Sequence, residues 1–175
     1  MRIHNAIQFA AEKHRDQKRK GSNIPYIVHP MEVMYILTEN NCEKDVIIAG
    51  ILHDVLEDTN TTKEEIKFNF GQRILDLVQS ESEDKTKTWQ ERKQYTIDCL
   101  KTDSIETKLV CCADKLSNIR SMCSDLKIIG EKLWEKFNAP KEKIKWYYES
   151  LVEGLKELKD YKMYKELTML VDEIF

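Results

Sequence analysis

The apolar residues of this 175-residue chain recur mostly every three to four positions, and nowhere does a strand-like alternation run convincingly over six residues. A chain with that period buries one face of each helix and has no pattern from which to build a half-buried strand. Ile3, Ala6, Ile7, Ala10 and His14 trace one stripe, followed by the basic stretch "HRDQKRKGSN". Pro30 sits where the first turn of a helix accepts proline, and Val33, Ile36 and Leu37 continue a second helix that ends at "ENN". A third helix begins near Lys44. "TNTTKEEIKFNFG" predicts a capped helix: Thr61 or Thr62 as the cap, Glu64 or Glu65 closing the box, Gly71 as the stop. Further helices are expected over Gln72 to Ser80, Trp89 to Leu100 and Ile105 to Met122. Another opens at Pro140 and carries Ile144, Tyr147, Leu151, Leu155 and Leu158, and an amphipathic tail runs from Lys162 to Phe175. "SESEDKTKT" is polar without period and reads as a loop. With five Gly, three Pro and no Asn-Gly or Asp-Gly hairpin signal, the expected fold is all-α, one bundle of about eight to ten helices. Residues 1–175 are expected to form a single domain, its core motifs over 6–120 and its C-terminal helices over 140–175.

Composition narrows the function classes. A net charge of −3 and a pI near 5.9 argue against binding nucleic acid through bulk positive charge and leave room for a local basic pocket. No apolar stretch approaches the ~18 residues that span a membrane, and "MRIHNAIQFAAEKHRDQ" lacks a signal-peptide core. The five cysteines are odd in number and include no C-x-x-C pair, so they read as small core residues of a reducing, cytoplasmic compartment.

The chemistry concentrates in "LHDVLEDT", Leu52 to Thr59, which follows the apolar run "VIIAGI". On one continuous helix, positions 53, 54, 57 and 58 fall within about 140° of arc. Three carboxylates and an imidazole on one face repel and resist burial, and a dication resolves both costs; the plain alternative is a solvated acidic helix end. "PYIVHP" sets His29 before Pro30, which biases His29 toward an extended backbone at a helix entrance. "LVCCADKLSNIR" sets Asp114 among residues that want burial, so it needs a cation or a metal as partner. Lys115 is adjacent, and helix neighbours do not face each other; Asn118, one turn on, shares the face. The expected metal set is therefore His29, His53, Asp54 and Asp114. Two imidazoles with two carboxylates suit Mn²⁺, Fe²⁺, Zn²⁺ or Co²⁺ and are too rich in nitrogen for Ca²⁺. Glu57 and Asp58, one turn beyond, are placed to orient or deprotonate a water. His4 reads as surface, and His14, on the first helix's stripe, as packed rather than ligating.

In order along the chain, "KHRDQKRKGSNIPYIVHPMEV", "AGILHDVLEDTNTTKEEIKFNFG", "DKTKTWQERK" and "KLVCCADKLSNIR" resemble the hydrolase domain of the RelA/SpoT family of HD-domain phosphohydrolases. Within it they are similar to the stand-alone small alarmone hydrolases, metazoan SpoT homologues among them. The likeness runs from about Ala6 to Arg120 and more faintly through "IKWYYESLVEGL". It implies removal of the 3′-pyrophosphate of (p)ppGpp, giving GDP or GTP and pyrophosphate, with Mn²⁺ as the usual metal. It also implies that His29, His53, Asp54 and Asp114 hold the metal and that Glu57 and Asp58 activate the water. Arg19 and Lys20 match an Arg-Lys pair that contacts the nucleotide, Asn118 an Asn of the nucleoside pocket, and Tyr147 an aromatic of a late helix.

Two stretches depart from the family. The loop before "DKT" usually begins Val-Thr-Asp-Asp and here reads "SESEDKT"; Trp89 stands where the stand-alone enzymes often carry a lysine. Lys85 and Lys87 are then the candidates for gripping the distal phosphates. Two readings compete with an alarmone hydrolase: a phosphohydrolase of another nucleotide such as NADPH, and a nucleotide-binding module with a vestigial site. A vestigial site should have lost a ligand or the Glu-Asp pair, and all six positions hold competent residues. The expected partner is a small nucleotide, neither nucleic acid nor membrane; the amphipathic tail permits a homo-oligomer without specifying one.

Overall fold

The computed structural model describes residues 2–175. Among them lie ten α-helices, two 3-10 helices and no β-strand beyond a single bridge between Lys18 and Pro25. The α-helices are α1 (Arg2–Lys13), α2 (Val28–Glu39), α3 (Lys44–Leu52), α4 (Val55–Asp58), α5 (Lys63–Phe70), α6 (Gln72–Ser80), α7 (Trp89–Cys99), α8 (Ile105–Ile129), α9 (Lys141–Gly154) and α10 (Lys162–Ile174). The all-α expectation holds. No described helix is long and apolar enough to cross a membrane, and all five cysteines are free thiols.

Two helices form the axis of the bundle. Every residue of α3 from Val46 to Leu52 is buried, because α1, α2, α6 and α8 all pack against it. A helix enclosed on all sides needs no polar face, which accounts for the unbroken apolar run. The long α8 packs on α2, α3, α6 and α10 and buries Leu109 through Asp114 consecutively. Around them the local signals act as written. The Thr62 hydroxyl accepts from Glu65 N–H while the Glu65 side chain accepts from Thr62 N–H, a complete capping box, and Gly71 ends α5 at φ 94°.

Three expectations are corrected. α8 continues past Met122 to Ile129, since no Gly or Pro intervenes and α10 packs along it, until Gly130 turns the chain at φ 61°. The third helix does not carry "LHDVLEDT" as one rod: α3 stops at Leu52, His53 and Asp54 form a turn, and α4 restarts at Val55. Asp54, at φ −91° and ψ −9°, stands at the edge of the helical region, and its carbonyl accepts from Asp58 N–H at 2.9 Å. His29 is not extended but helical, inside the first turn of α2, with its N–H bonded to Tyr26 O at 3.0 Å. The first helical turn leaves its N–H groups without intrahelical partners anyway, so Pro30 removes nothing there, and packing on α3 and α8 outweighs its bias on the residue before it.

Candidate active site

Three elements bring the four predicted donors together: His29 from α2, His53 and Asp54 from the α3–α4 turn, Asp114 from the middle of α8. His29 Nε2 lies 3.1 Å from His53 Nε2 and 3.1 Å from Asp114 Oδ1. Asp54 Oδ2 lies 2.9 Å from His53 Nε2 and 3.5 Å from His29 Nε2. Donors about 2.1 Å from one ion, at right angles to each other, stand ~3.0 Å apart. The observed separations therefore match a common centre, and the ligand atoms of His29, His53 and Asp114 all fall within 4.8 Å of one another. The three are buried, at 2%, 2% and 5% exposure, so the chemistry of the set fits a divalent ion.

The far side of each imidazole is fixed. His53 Nδ1 donates to Gly50 O at 2.8 Å, leaving Nε2 as the lone-pair nitrogen. His29 Nδ1 donates to Ser117 Oγ at 2.8 Å, and Ser117 donates onward to Glu32 at 2.9 Å, which leaves its Nε2 free in the same way. Glu32 is held in turn by Arg120, itself paired through two 2.7 Å bonds to Glu166 of α10. Tyr26 O–H donates to Asp54 Oδ2 at 2.6 Å; burial and the Asp54 charge push the phenol's pKa up, so it remains a donor.

The carboxylates are held ionised. Burial alone would raise Asp54, but the charge and hydrogen bond of His53, with His29, bring it below the usual range. Burial likewise opposes Asp114, and Lys115 with the two imidazoles overcomes it. Lys115 corrects the sequence argument: its long side chain curls back along the helix and pairs with Asp114 Oδ2. Cβ directions keep adjacent short side chains apart, and four methylenes escape that limit. Asn118 Nδ2 donates to the other oxygen, Asp114 Oδ1, at 2.6 Å.

Glu57 and Asp58 line the same open cleft as His29, His53, Asp54 and Asp114. Glu57 Oε2 accepts from the Glu83 backbone N–H at 3.1 Å. Burial raises the Glu57 carboxyl and that hydrogen bond opposes it; burial wins. Lys85 is tied to this pair, donating to Glu57 O at 2.7 Å and Asp58 Oδ1 at 2.8 Å. Arg19 donates to Asn118 Oδ1 at 3.1 Å and stacks 5.8 Å from the Tyr26 ring. Lys20 points elsewhere, to Asn138 at 3.3 Å. Tyr147 is 5% exposed, edge-on to Trp89 at 6.2 Å, with Lys93 5.0 Å over its ring. His4 is exposed, and His14 is buried against Tyr26 with Nδ1 on Gln17 at 2.6 Å, as expected of a packed histidine.

Sequence reasoning passed over Tyr26, Glu81, Glu83, Arg92 and Lys93 and set Lys115 aside, and all six line the cleft. Burial pushes the Glu81 carboxyl up to about 8, with the Lys115 charge opposing. The only available signal was the "ERK" that ends "DKTKTWQERK".

Residues 6–132 match the family described as the HD domain. A guanosine-3′,5′-bis(diphosphate) 3′-pyrophosphohydrolase MESH1 of Xenopus tropicalis is 41% identical over 157 residues, covering 88% of this chain and 84% of its own. A solved Listeria monocytogenes protein superposes with a TM-score of 0.79 at 34% identity, over 84% of this chain and 98% of that one. A metazoan orthologue of SpoT, described as hydrolysing ppGpp, superposes with a TM-score of 0.77 at 30% identity, over 99% and 93%.

Proposed function

This chain belongs to the HD-domain family and resembles its (p)ppGpp-hydrolysing members over most of its length, and from that premise we propose that it hydrolyses (p)ppGpp at the 3′-pyrophosphate. The products are GDP or GTP, and pyrophosphate. The observation that carries the reading is the convergence of two imidazoles and two carboxylates beside a Glu-Asp pair in one cleft.

In this reading His29, His53, Asp54 and Asp114 hold a divalent ion, and among the ions that suit this mixed N/O set Mn²⁺ is the one the family resemblance implies. When bound, such an ion supplies a Lewis acid for a phosphoryl oxygen and lowers the pKa of a bound water. Glu57 takes the water's proton; its raised pKa brings it nearer to neutral pH, where a base of this kind works best. Asp58, anchored through Lys85, orients the same water. Arg19 and Asn118, bonded to each other at the cleft's rim, present a guanidinium plane and an amide to the guanosine. Lys20 reaches the nucleotide by leaving Asn138, and Tyr147 supports the site through its contacts with Trp89 and Lys93. Such a nucleotide enzyme works in the cytoplasm.

The test is direct. Purified protein with Mn²⁺ is offered ppGpp, pppGpp, NADPH and GTP separately, and products are resolved by ion exchange. The expected result is pyrophosphate from the first two, abolished by chelator and by Asp54→Ala. Orthophosphate alone, or no turnover with any divalent metal, would refute the reading.

A further inference from the structure

We propose that Arg92 and Lys93, on the second turn of α7, form the anion wall that takes the substrate's terminal diphosphate, with Glu83 occupying that wall in the free protein. The proposal rests on the hydrolase reading above and adds the residues that grip the phosphates.

Both cations line the cleft that the metal-type donors line. They converge on one carboxylate: Arg92 Nη1 donates to Glu83 Oε2 at 2.7 Å and Lys93 Nζ to Glu83 Oε1 at 2.5 Å. Two full positive charges against one negative leave the group cationic. Its donors are also underused. A guanidinium has five N–H donors and an ammonium three, yet among the described residues each side chain makes one hydrogen bond, and Arg92 Nε is buried without a partner. A buried donor without an acceptor is costly. A third cation, Lys115, lies on the same cleft; burial first and the Lys115 charge second lower the proton affinity of Lys93. A dianionic acceptor would satisfy the spare donors of Arg92 and Lys93. A diphosphate suits it, since a guanidinium forks onto phosphate oxygens.

The wall is also in the right place. The loop residue whose carboxylate occupies it, Glu83, uses its own backbone N–H to hold Glu57 Oε2 at 3.1 Å. A phosphate drawn to Arg92 and Lys93 therefore sits next to the carboxylate that works on the water. Two other candidate lysines are engaged elsewhere. Lys85 is bound to Glu57 O and Asp58, and Lys20 to Asn138.

In this arrangement Glu83 and the substrate's diphosphate compete for the same donors. The two kinds of variant should then move in opposite directions, which a structural clamp would not produce. Inorganic pyrophosphate is titrated calorimetrically into Mn²⁺-loaded protein freed of excess metal, and KM and kcat for ppGpp are measured alongside. Bound Mn²⁺ and thermal melts are recorded for each variant to separate loss of site from loss of fold. Arg92→Gln and Lys93→Met are each expected to weaken pyrophosphate binding and raise KM by roughly tenfold or more, with kcat falling less. Glu83→Gln is expected to tighten pyrophosphate binding severalfold. Wild-type affinity in both cation variants overturns the proposal. So does weaker pyrophosphate binding in Glu83→Gln, which would make the trio a structural clamp. If the wild type turns over no ppGpp while the opposed shifts in pyrophosphate binding are seen, the hydrolase reading falls and the anion wall stands.

Discussion

Glu57 carries a carboxyl whose environment sets the expected pH dependence of the reaction. Burial raises its pKa above the ordinary glutamate value, and the Glu83 N–H only partly offsets that. A general base works deprotonated. Activity should therefore rise with pH along a limb displaced above the usual carboxylate range, and fall as pH drops through it. Glu57→Gln should lose that limb and about 10² or more in kcat while keeping bound Mn²⁺. A pH–rate profile with metal analysis checks this; loss of metal would make Glu57 a ligand instead. At this scale the sequence was most legible where the chemistry is local. His53 and Asp54 are adjacent, Glu57 and Asp58 lie one turn on, and Asp114 stands out among apolar neighbours. Lys115 was set aside because its bond to the adjacent Asp114 rests on the reach of a long side chain, and Tyr26 was not legible because a phenol aimed at Asp54 depends on where α2 and the α3–α4 turn meet. No sequence spacing encodes that meeting point.

At the scale of elements, the site depends on how closely α3 approaches α2. Gly50 has no side chain where α2 crosses. A Cβ there would overlap Leu37 Cδ1 and come within 3.1 Å of Val33 Cγ1, and both residues are fully buried. The same Gly50 provides the carbonyl that fixes the His53 tautomer. Gly50→Ala should therefore destabilise the protein by about 1–3 kcal/mol through overpacking and weaken Mn²⁺ binding by displacing that carbonyl. Denaturant unfolding and a metal titration measure the two separately; a stable variant with unchanged metal affinity would show that α2 and α3 slide apart freely. Element boundaries were readable where a side chain closes them, as in the Thr62–Glu65 box. They were unreadable where only packing decides. The end of α8 at Ile129 does carry a local mark in the following Gly130, whereas nothing local announces the break between Leu52 and Val55 that turns His53 and Asp54 inward.

For the molecule as a whole, the four donors join α2, α8 and the α3–α4 turn, so an ion held among them is a cross-link between distant parts of the chain. Anything that binds only the folded state stabilises it by mass action, about 2.7 kcal/mol at a hundredfold excess over Kd. For a chain of this size that is roughly 5–10 °C in Tm. Mn²⁺ should raise Tm by this amount and chelator should reverse it. Asp114→Asn should behave differently in two ways at once. It removes a donor, so the Mn²⁺ shift should shrink or vanish. It also removes the counter-ion of Lys115, whose side chain is only 16% exposed, so the metal-free protein should itself melt earlier, by about 3 kcal/mol of lost stability. The sign of the pH effect follows. Asp114 is held well below its usual pKa, chiefly by Lys115 once burial is overcome. Its contribution is present above the unfolded-state value near 4 and is lost as pH falls through the folded one. Wild type and Asp114→Asn should therefore converge in Tm under strongly acidic conditions and diverge at neutral pH. A wild-type Tm indifferent to both Mn²⁺ and chelator would mean that the four donors, however close, do not form a metal site.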